Sequence, residues 1–314
     1  MKISVVTPCY NEEENVFDTY TQVKAQLQIL FGLGYDYEHI FIDNASTDKT
    51  VSILKTIASK DKKVKIIVNA RNAGFVRSCH HGLMQAYGDV VIFIEADLQT
   101  PAAMIPVFIH KWEEGYKIVA GIKDKSKENF LMYSIRKLFY SVLSKFSEVN
   151  LIKNFLGVGL YDQSFIALLR KIDDPYPYFR GMVAELGTDI TLVPYVQEVR
   201  KRGKTSFNFY KLYDVAMLGF VNQTKLPIRL ASFIGFFMAI VSLIVAIIAF
   251  INKLLAWDSY ELGLSSVAIG LFFFASLQLA FLGIIGEYIS AIFIQVRKRP
   301  LVIERERINF DGHA

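Results

Sequence analysis

The sequence predicts an α/β domain built on a mostly parallel sheet, followed by two transmembrane helices. Three observations carry that expectation. From Met1 to about Tyr195, short apolar runs alternate with stretches of helical periodicity, as repeated βα units with helices on both faces of a sheet require. Val90 to Ile94 is five apolar residues in succession, the signature of a strand buried on both faces. Beyond Leu230 lie two long apolar stretches, and they account for much of an overall hydrophobic content of 53%, above the roughly 45–50% usual for soluble chains.

In order along the chain, Ile3 to Val6, His39 to Ile42, Val64 to Val68, Val90 to Ile94 and Lys117 to Ala120 read as strands. Glu13 to Leu30, Asp48 to Ser59, Phe75 to Ala86 and Ala102 to Glu114 read as the helices between them. Phe130 to Phe146 repeats aromatic and aliphatic residues at helical spacing around Arg136, Lys137 and Lys145. That pattern suits a core helix with a charged outer face or an interfacial helix. Leu156 to Asp162 then leads into a helix through Arg170, and the basic run Arg200 to Ser206 closes a first domain, 1–206. Phe207 to Val221 reads as an amphipathic helix on the membrane within a juxtamembrane segment, 207–227.

Leu230 to Ile251 is about 22 residues without a charge, enough at 1.5 Å per residue to cross a hydrocarbon core of roughly 30 Å. Leu264 to Ile294 is a second such stretch, interrupted by Gln278 and Glu287, and both belong to a two-helix region, 228–296. A carboxylate is costly inside a span, so Glu287, ten residues before Arg297, is assigned to the boundary. Lys225 and Arg229 precede the first span and Arg297, Lys298 and Arg299 follow the second, whereas the connecting loop sets Lys253 against Asp258 and Glu261. This bias puts the first domain and both termini, including a tail over 297–314, on the cytoplasmic side of an inner or plasma membrane.

Charge and cysteines bound the rest. A net charge of +5 suits a membrane surface or an anionic substrate without separating them. Cys9 and Cys79 lie in core elements with no metal-ligand spacing and read as buried thiols. The N-terminal MKISVVTPCY carries no apolar run ahead of a small-residue cleavage site, so no secretory signal is visible.

Chemistry concentrates at the strand ends. Strand one runs into Thr7-Pro8-Cys9-Tyr10-Asn11-Glu12, strand two into Asp43-Asn44-Ala45-Ser46-Thr47-Asp48, strand three into Asn69-Ala70-Arg71-Asn72-Ala73-Gly74, and strand four into Glu95-Ala96-Asp97-Leu98-Gln99. Open α/β sheets bind ligands at those ends. A nucleotide needs a ring to pack its base, carboxylates for ribose hydroxyls, and an arginine with a divalent cation for its diphosphate. Carboxylates at spacing two can share Mg2+ or Mn2+, which prefer oxygen ligands. Each loop also has a plainer reading: Glu95 and Asp97 as caps of the helix starting near Pro101, Ser46 and Thr47 as caps of the second helix, Asn72 and Gly74 as turn formers. No G-x-G-x-x-G follows strand one and no Walker A sequence occurs, which counts against dinucleotide-binding and P-loop readings.

The ordered set Pro8-x-Tyr10-Asn11-Glu12, Asp43-Asn44-Ala45-Ser46-x-Asp48-x-Thr50, Arg71-Asn72-x-Gly74 and Glu95-Ala96-Asp97-Leu98-Gln99-x-Pro101 resembles the family 2 inverting glycosyltransferases. Within that family it is similar to the polyprenyl-phosphate group that includes dolichyl-phosphate mannose synthase and bactoprenol glucosyltransferase. The resemblance implies a nucleotide-sugar-binding domain of GT-A type. It makes Pro8, Tyr10, Asn11, Glu12, Asp43, Asn44, Arg71 and Glu95 nucleotide-binding residues, and Asp97 and Gln99 ligands of Mg2+ or Mn2+. Glu95 stands where the family usually has Asp, which argues against direct metal contact there, and Asn44 stands where many members have a second Asp. Asp162 resembles an acid near the donor sugar and, with Asp97, forms the catalytic assignment. A phosphate acceptor needs no general base, since its second pKa is about 6, so Asp162 is given a positioning role, with helix capping as its alternative. Arg202 and Lys204 resemble a loop closing over phosphates, and Arg136 and Lys137 would guide a lipid phosphate.

The implied function is inverting transfer of a sugar, from a UDP-sugar or related donor, to a polyprenyl phosphate such as undecaprenyl phosphate at the bilayer, for modification of cell-envelope glycans. A processive polysaccharide synthase and a non-catalytic membrane protein with a degenerate transferase domain are the alternatives. No nucleic acid partner is expected, and a homo-oligomer stays open.

Overall fold

A computed structural model describes residues 1–123, 151–172, 174, 177–198, 226–255, 264–296, 300 and 302–310. β1 (Lys2–Cys9), α1 (Val16–Gly32), β2 (Asp36–Asp43), α2 (Thr50–Lys60), β3 (Val64–Asn69), α3 (Phe75–Met84), β4 (Val90–Phe93) and α4 (Met104–Glu113) follow one another as βα units. β5 (Ile118–Lys123), β6 (Phe155–Asp162), α5 (Gln163–Arg170), α6 (Phe179–Leu186) and β7 (Ile190–Tyr195) come next, then α7 (Leu226–Leu255), α8 (Leu264–Val296) and β8 (Glu304–Ile308). The eight strands form one sheet in the order β7-β5-β6-β4-β1-β2-β3-β8.

All residues from Ile3 to Cys9 are buried, which is why β1 shows no alternation of apolar and polar residues. It lies between β2 and β4, parallel to both. Phe41, Ile66 and Val68 pack with Leu54 and Ile57 of α2, while Gly82 of α3 sits so close to Val6 and Ile42 that a Cβ there would lie 2.9 Å from Ile42. Each such side chain taken from water contributes about 1.5–3 kcal/mol. Cys9 pairs with Asp43, Asp43 with Val68, and Val6 with Phe93. That register ends β1, β2, β3 and β4 along one edge, so their loops emerge together.

β6 enters antiparallel between β4 and β5. Gly159, at φ 158°, faces Phe93 and Ala120, and a Cβ on it would run into the Val119 carbonyl, so a side chain here would force β5 away. β6, β7 and β8 are strands that the sequence reading did not identify. β7 is an edge strand, where Pro194 is tolerated opposite Ile122. β8, ERERI, looks like a solvated tail, yet it pairs antiparallel with β3 and closes the other edge.

α7 and α8 contain 30 and 33 residues, about 45 and 50 Å at 1.5 Å per residue. A Cβ on Gly235 of α7 would lie 3.9 Å from the Phe281 ring of α8, so the two touch. Among the described residues one segment, Phe273–Ser290 with mean hydropathy 1.5, is long and apolar enough to cross a membrane. The expected helix over Phe130 to Phe146, the basic run from Arg200 to Ser206 and the amphipathic helix over Phe207 to Val221 lie outside the described residues.

Candidate functional site

The loop after β1 is stitched to the loop after β2. Asn11 N donates to Ser46 Oγ (2.9 Å), Thr47 N to Asn11 Oδ1 (2.8 Å), Glu12 N to Thr50 Oγ1 (2.9 Å), Glu13 N to Asp48 Oδ2 (3.1 Å) and Lys49 N to Glu13 Oε2 (2.9 Å). At about 1 kcal/mol apiece these bonds hold the edge in one shape. Asp48 Oδ1 accepts from Thr50 N and Oγ1, and Ser46 turns back to Asp43. The expected capping by Ser46 or Thr47 is therefore replaced: Asp48 satisfies the start of α2. Pro8 is buried in β1, and Tyr10 and Glu12 are half-buried where the chain leaves it.

Asp43 is buried at the end of β2, and burial pushes its carboxyl up while the Ser46 hydroxyl and N–H pull it down. Asn44 is also buried: its Oδ1 accepts from Asn69 Nδ2 (3.1 Å) and Ala73 N (2.9 Å), and its Nδ2 donates to Asn72 Oδ1 (3.0 Å). An aspartate could not make the last bond. Arg71 is exposed on the same loop, at the end of β3.

After β4 the chain turns sharply, with Leu98 at φ 59°. Asn11 (φ 54°) and Ala45 (φ 62°) are the corresponding residues of the first two loops. Left-handed backbone costs roughly 1–2 kcal/mol for a residue with a side chain, and three such residues on one edge fit a shape held for binding. Asp97 and Gln99 are half-buried, and Asp97 Oδ1 accepts from Gln99 N at 3.1 Å. α4 starts at Met104 with Ala103 as its N-cap, well beyond Asp97, whose Oδ1 meets Gln99 N within the turn. Gln99 Oε1 accepts from Gln197 Nε2 (2.5 Å) and Gln99 O from Glu198 N (3.0 Å), which bolts the chain after β7 to the acidic turn. Burial pushes the neighbouring Tyr195 hydroxyl up to about 12, with the charges of Glu95 and Asp97 adding to the rise. Burial likewise raises the Cys79 thiol, an effect to which Glu95 adds and which Arg180 opposes. Gln197 and Tyr195 join the site through tertiary contacts alone and carry no motif.

Oxygen donors from a carboxylate and an amide suit Mg2+ or Mn2+. Among the described residues no group of three or more His, Cys, Asp or Glu could hold a metal alone, so a cation at Asp97 and Gln99 would need the oxygens of a ligand.

Asp162 lies elsewhere. It pairs with Val90, at the opposite end of β4 from the acidic turn, and caps α5 by accepting from Ser164 N (2.9 Å). Trp112 Nε1 donates to it at 2.8 Å and Lys117 Nζ at 3.4 Å. Burial opposes its ionisation, but the Ser164 and Trp112 bonds outweigh it and hold the carboxyl below the usual range. The expectation of Asp162 beside the donor sugar gives way to helix capping. The structure thus brings together Pro8, Tyr10, Asn11, Glu12, Asp43, Asn44, Arg71, Glu95, Asp97 and Gln99 along one edge. Arg136, Lys137, Arg202 and Lys204 lie outside the described residues.

Residues 4–176 match the family model described as glycosyl transferase family 2. The chain is 31% identical to an uncharacterized glycosyltransferase, YkcC, of Bacillus subtilis (strain 168), over 100% of this chain and 98% of that one. It is also 31% identical to a prophage-derived bactoprenol glucosyl transferase of Shigella flexneri, over 96% and 97% of the two chains. Among solved structures it resembles the mannosyltransferase PcManGT from Pyrobaculum calidifontis in complex with GDP-Man and Mn2+, at 14% identity, over 94% and 86% of the chains, with a TM-score of 0.43.

Proposed function

The chain belongs to glycosyl transferase family 2, and from that premise we propose that it moves a sugar from a nucleotide diphosphate sugar to a polyprenyl phosphate, with inversion. The observation that carries the donor half is the convergence of the four strand-end loops, the first three tied together by hydrogen bonds and the fourth forming the Asp97 turn. Tyr10 would pack the base, Glu12 and Asp43 would take nucleoside hydroxyls or N–H groups, and Arg71, at the end of β3, would meet the nucleoside end of the donor. Asp97 and Gln99 would hold Mg2+ or Mn2+, which when bound neutralises charge gathering on a leaving diphosphate.

The acceptor half rests on the bactoprenol relatives and on the two long helices. Phe233, Phe236 and Phe237 of α7 and Leu271, Leu279 and Phe293 of α8 are exposed, an apolar surface that water disfavours and a bilayer would cover. We therefore read both helices as spans, with the catalytic domain and termini in the cytoplasm. Arg136, Lys137, Arg202 and Lys204 are our choices for the acceptor phosphate, which would attack the anomeric carbon directly. Glu198, bonded to Gln99, lies four residues before Arg202 in the sequence. Two bound anions held in register supply the orientation that neither has in solution.

Transfer of radiolabelled sugar from a panel of nucleotide sugars into undecaprenyl phosphate, with Mg2+ or Mn2+, tests the reading. Label in an acid-labile lipid supports it. Metal-dependent nucleotide binding with no lipid product from any donor would refute the acceptor. Asp97→Ala is expected to lower transfer by at least about 100-fold without changing Tm, since Asp97 stands on a turn outside the core.

A further inference from the structure

β8 brings the chain back from α8 to the edge where the nucleotide loops emerge. Ala70 N donates to Ile303 O at 2.8 Å, Asn69 pairs with Glu304 and Val68 with Glu306, and the register shift between them leaves Arg305 without a ladder partner. The other charged residues of β8 are ion-paired: Glu304 with His81 (2.5 Å) and Arg307, and Glu306 with Lys55 (2.7 Å). Arg305 is exposed and, among the described residues, has no ion pair. Its charge is nevertheless felt at Asp43, where it opposes the rise that burial imposes on the carboxyl. A guanidinium in this position has a planar fork of donors to offer.

Strand order says which part of a ligand it could reach. Along β4-β1-β2-β3-β8, with neighbours about 4.8 Å apart, β8 is about 19 Å from the strand that ends in Asp97 and about 10 Å from the strand that ends in Asp43. A donor whose diphosphate lies at Asp97 runs with its base toward β2 and β3. We propose that Arg305 is a specificity-determining residue at the base end of the donor site, donating to a carbonyl oxygen of the nucleobase. This rests on the donor reading above. Such a contact favours uracil or guanine, which present a carbonyl oxygen, over adenine, which presents an amino group in the place of the guanine oxygen.

The test is calorimetric titration of the full chain in detergent with UDP, GDP and ADP in the presence of Mg2+, for the wild type, Arg305→Ala, Arg305→Lys and Glu306→Ala. The expected result is weaker wild-type binding of ADP than of UDP or GDP, and an Arg305→Ala loss of about tenfold for the preferred nucleotide with little change for ADP. Arg305→Lys should fall between, because it keeps the charge and loses the fork, and Glu306→Ala should match wild type. An unchanged affinity and ranking in Arg305→Ala would overturn the proposal. So would an equal loss for all three nucleotides, the mark of general charge attraction, or an equal loss in Glu306→Ala, the mark of a loosened strand. A wild type that binds none of the nucleotides would overturn the donor reading with it.

Discussion

Asn44 joins the ends of β2 and β3 through three hydrogen bonds to Asn69, Asn72 and Ala73, all made by a buried side chain. Asn44→Ala would leave the Asn69 amide buried with one partner fewer, so a loss of about 1–3 kcal/mol in urea unfolding is expected, with weaker nucleotide binding because Arg71 and Gly74 lose their support. An unchanged unfolding midpoint would mean the loop holds itself. At this scale the order of residues anticipated a local arrangement, since Asp97 and Gln99 do share a turn at a strand end. Asp162 was misplaced because an acid after an apolar run looks the same at either end of a strand, and the antiparallel entry of β6 sets which end it occupies.

Glu38 of β2 is 4% exposed and bonds Lys2 Nζ (2.6 Å), Ser4 Oγ (2.6 Å) and Lys65 Nζ (2.9 Å), which ties β1, β2 and β3 together at the end remote from the site. Burial pushes its carboxyl up, yet Lys2, Ser4 and Lys65 outweigh that and hold it below the usual carboxylate range. A carboxyl lowered on folding contributes stability that is complete above its unfolded value, about 4.3, and is lost as pH falls through the lower folded value. Glu38→Gln should cost about 1–3 kcal/mol at pH 7 and flatten the acid limb of unfolding measured by circular dichroism. A wild-type acid limb in the variant would show that other carboxylates govern it. β1 to β5 were legible because burial on both faces leaves short apolar runs, whereas β6, equally buried, is interrupted by Gly157 and Gly159 and was not. β7 and β8 were not, since an edge strand keeps one side in water and its composition follows its neighbours.

Over the whole molecule, β8 fastens the end of the chain to the catalytic sheet after the long helices. Asn309 donates to Ala58 O and Val64 O at 2.8 Å, adding to the Lys55 and His81 ion pairs. Removing residues 300–314 exposes the edge of β3, and a Tm lower by about 5–10 °C is expected in differential scanning, with loss of the donor contact assigned to Arg305. An unaltered Tm would make β8 a passive tail. The α/β class, the family, the four loops and the apolar helices can all be read along the chain, because hydrophobic periodicity and the order of polar residues are local properties that chain position preserves. That Asp162 caps a helix away from the site, that Gln197 grips Gln99, and that a strand formed late in the chain lays Arg305 two strands from the end of β2 came with the three-dimensional fold. Those outcomes depend on which strands pair and in which direction, a choice made by burial across hundreds of residues and written in no single stretch.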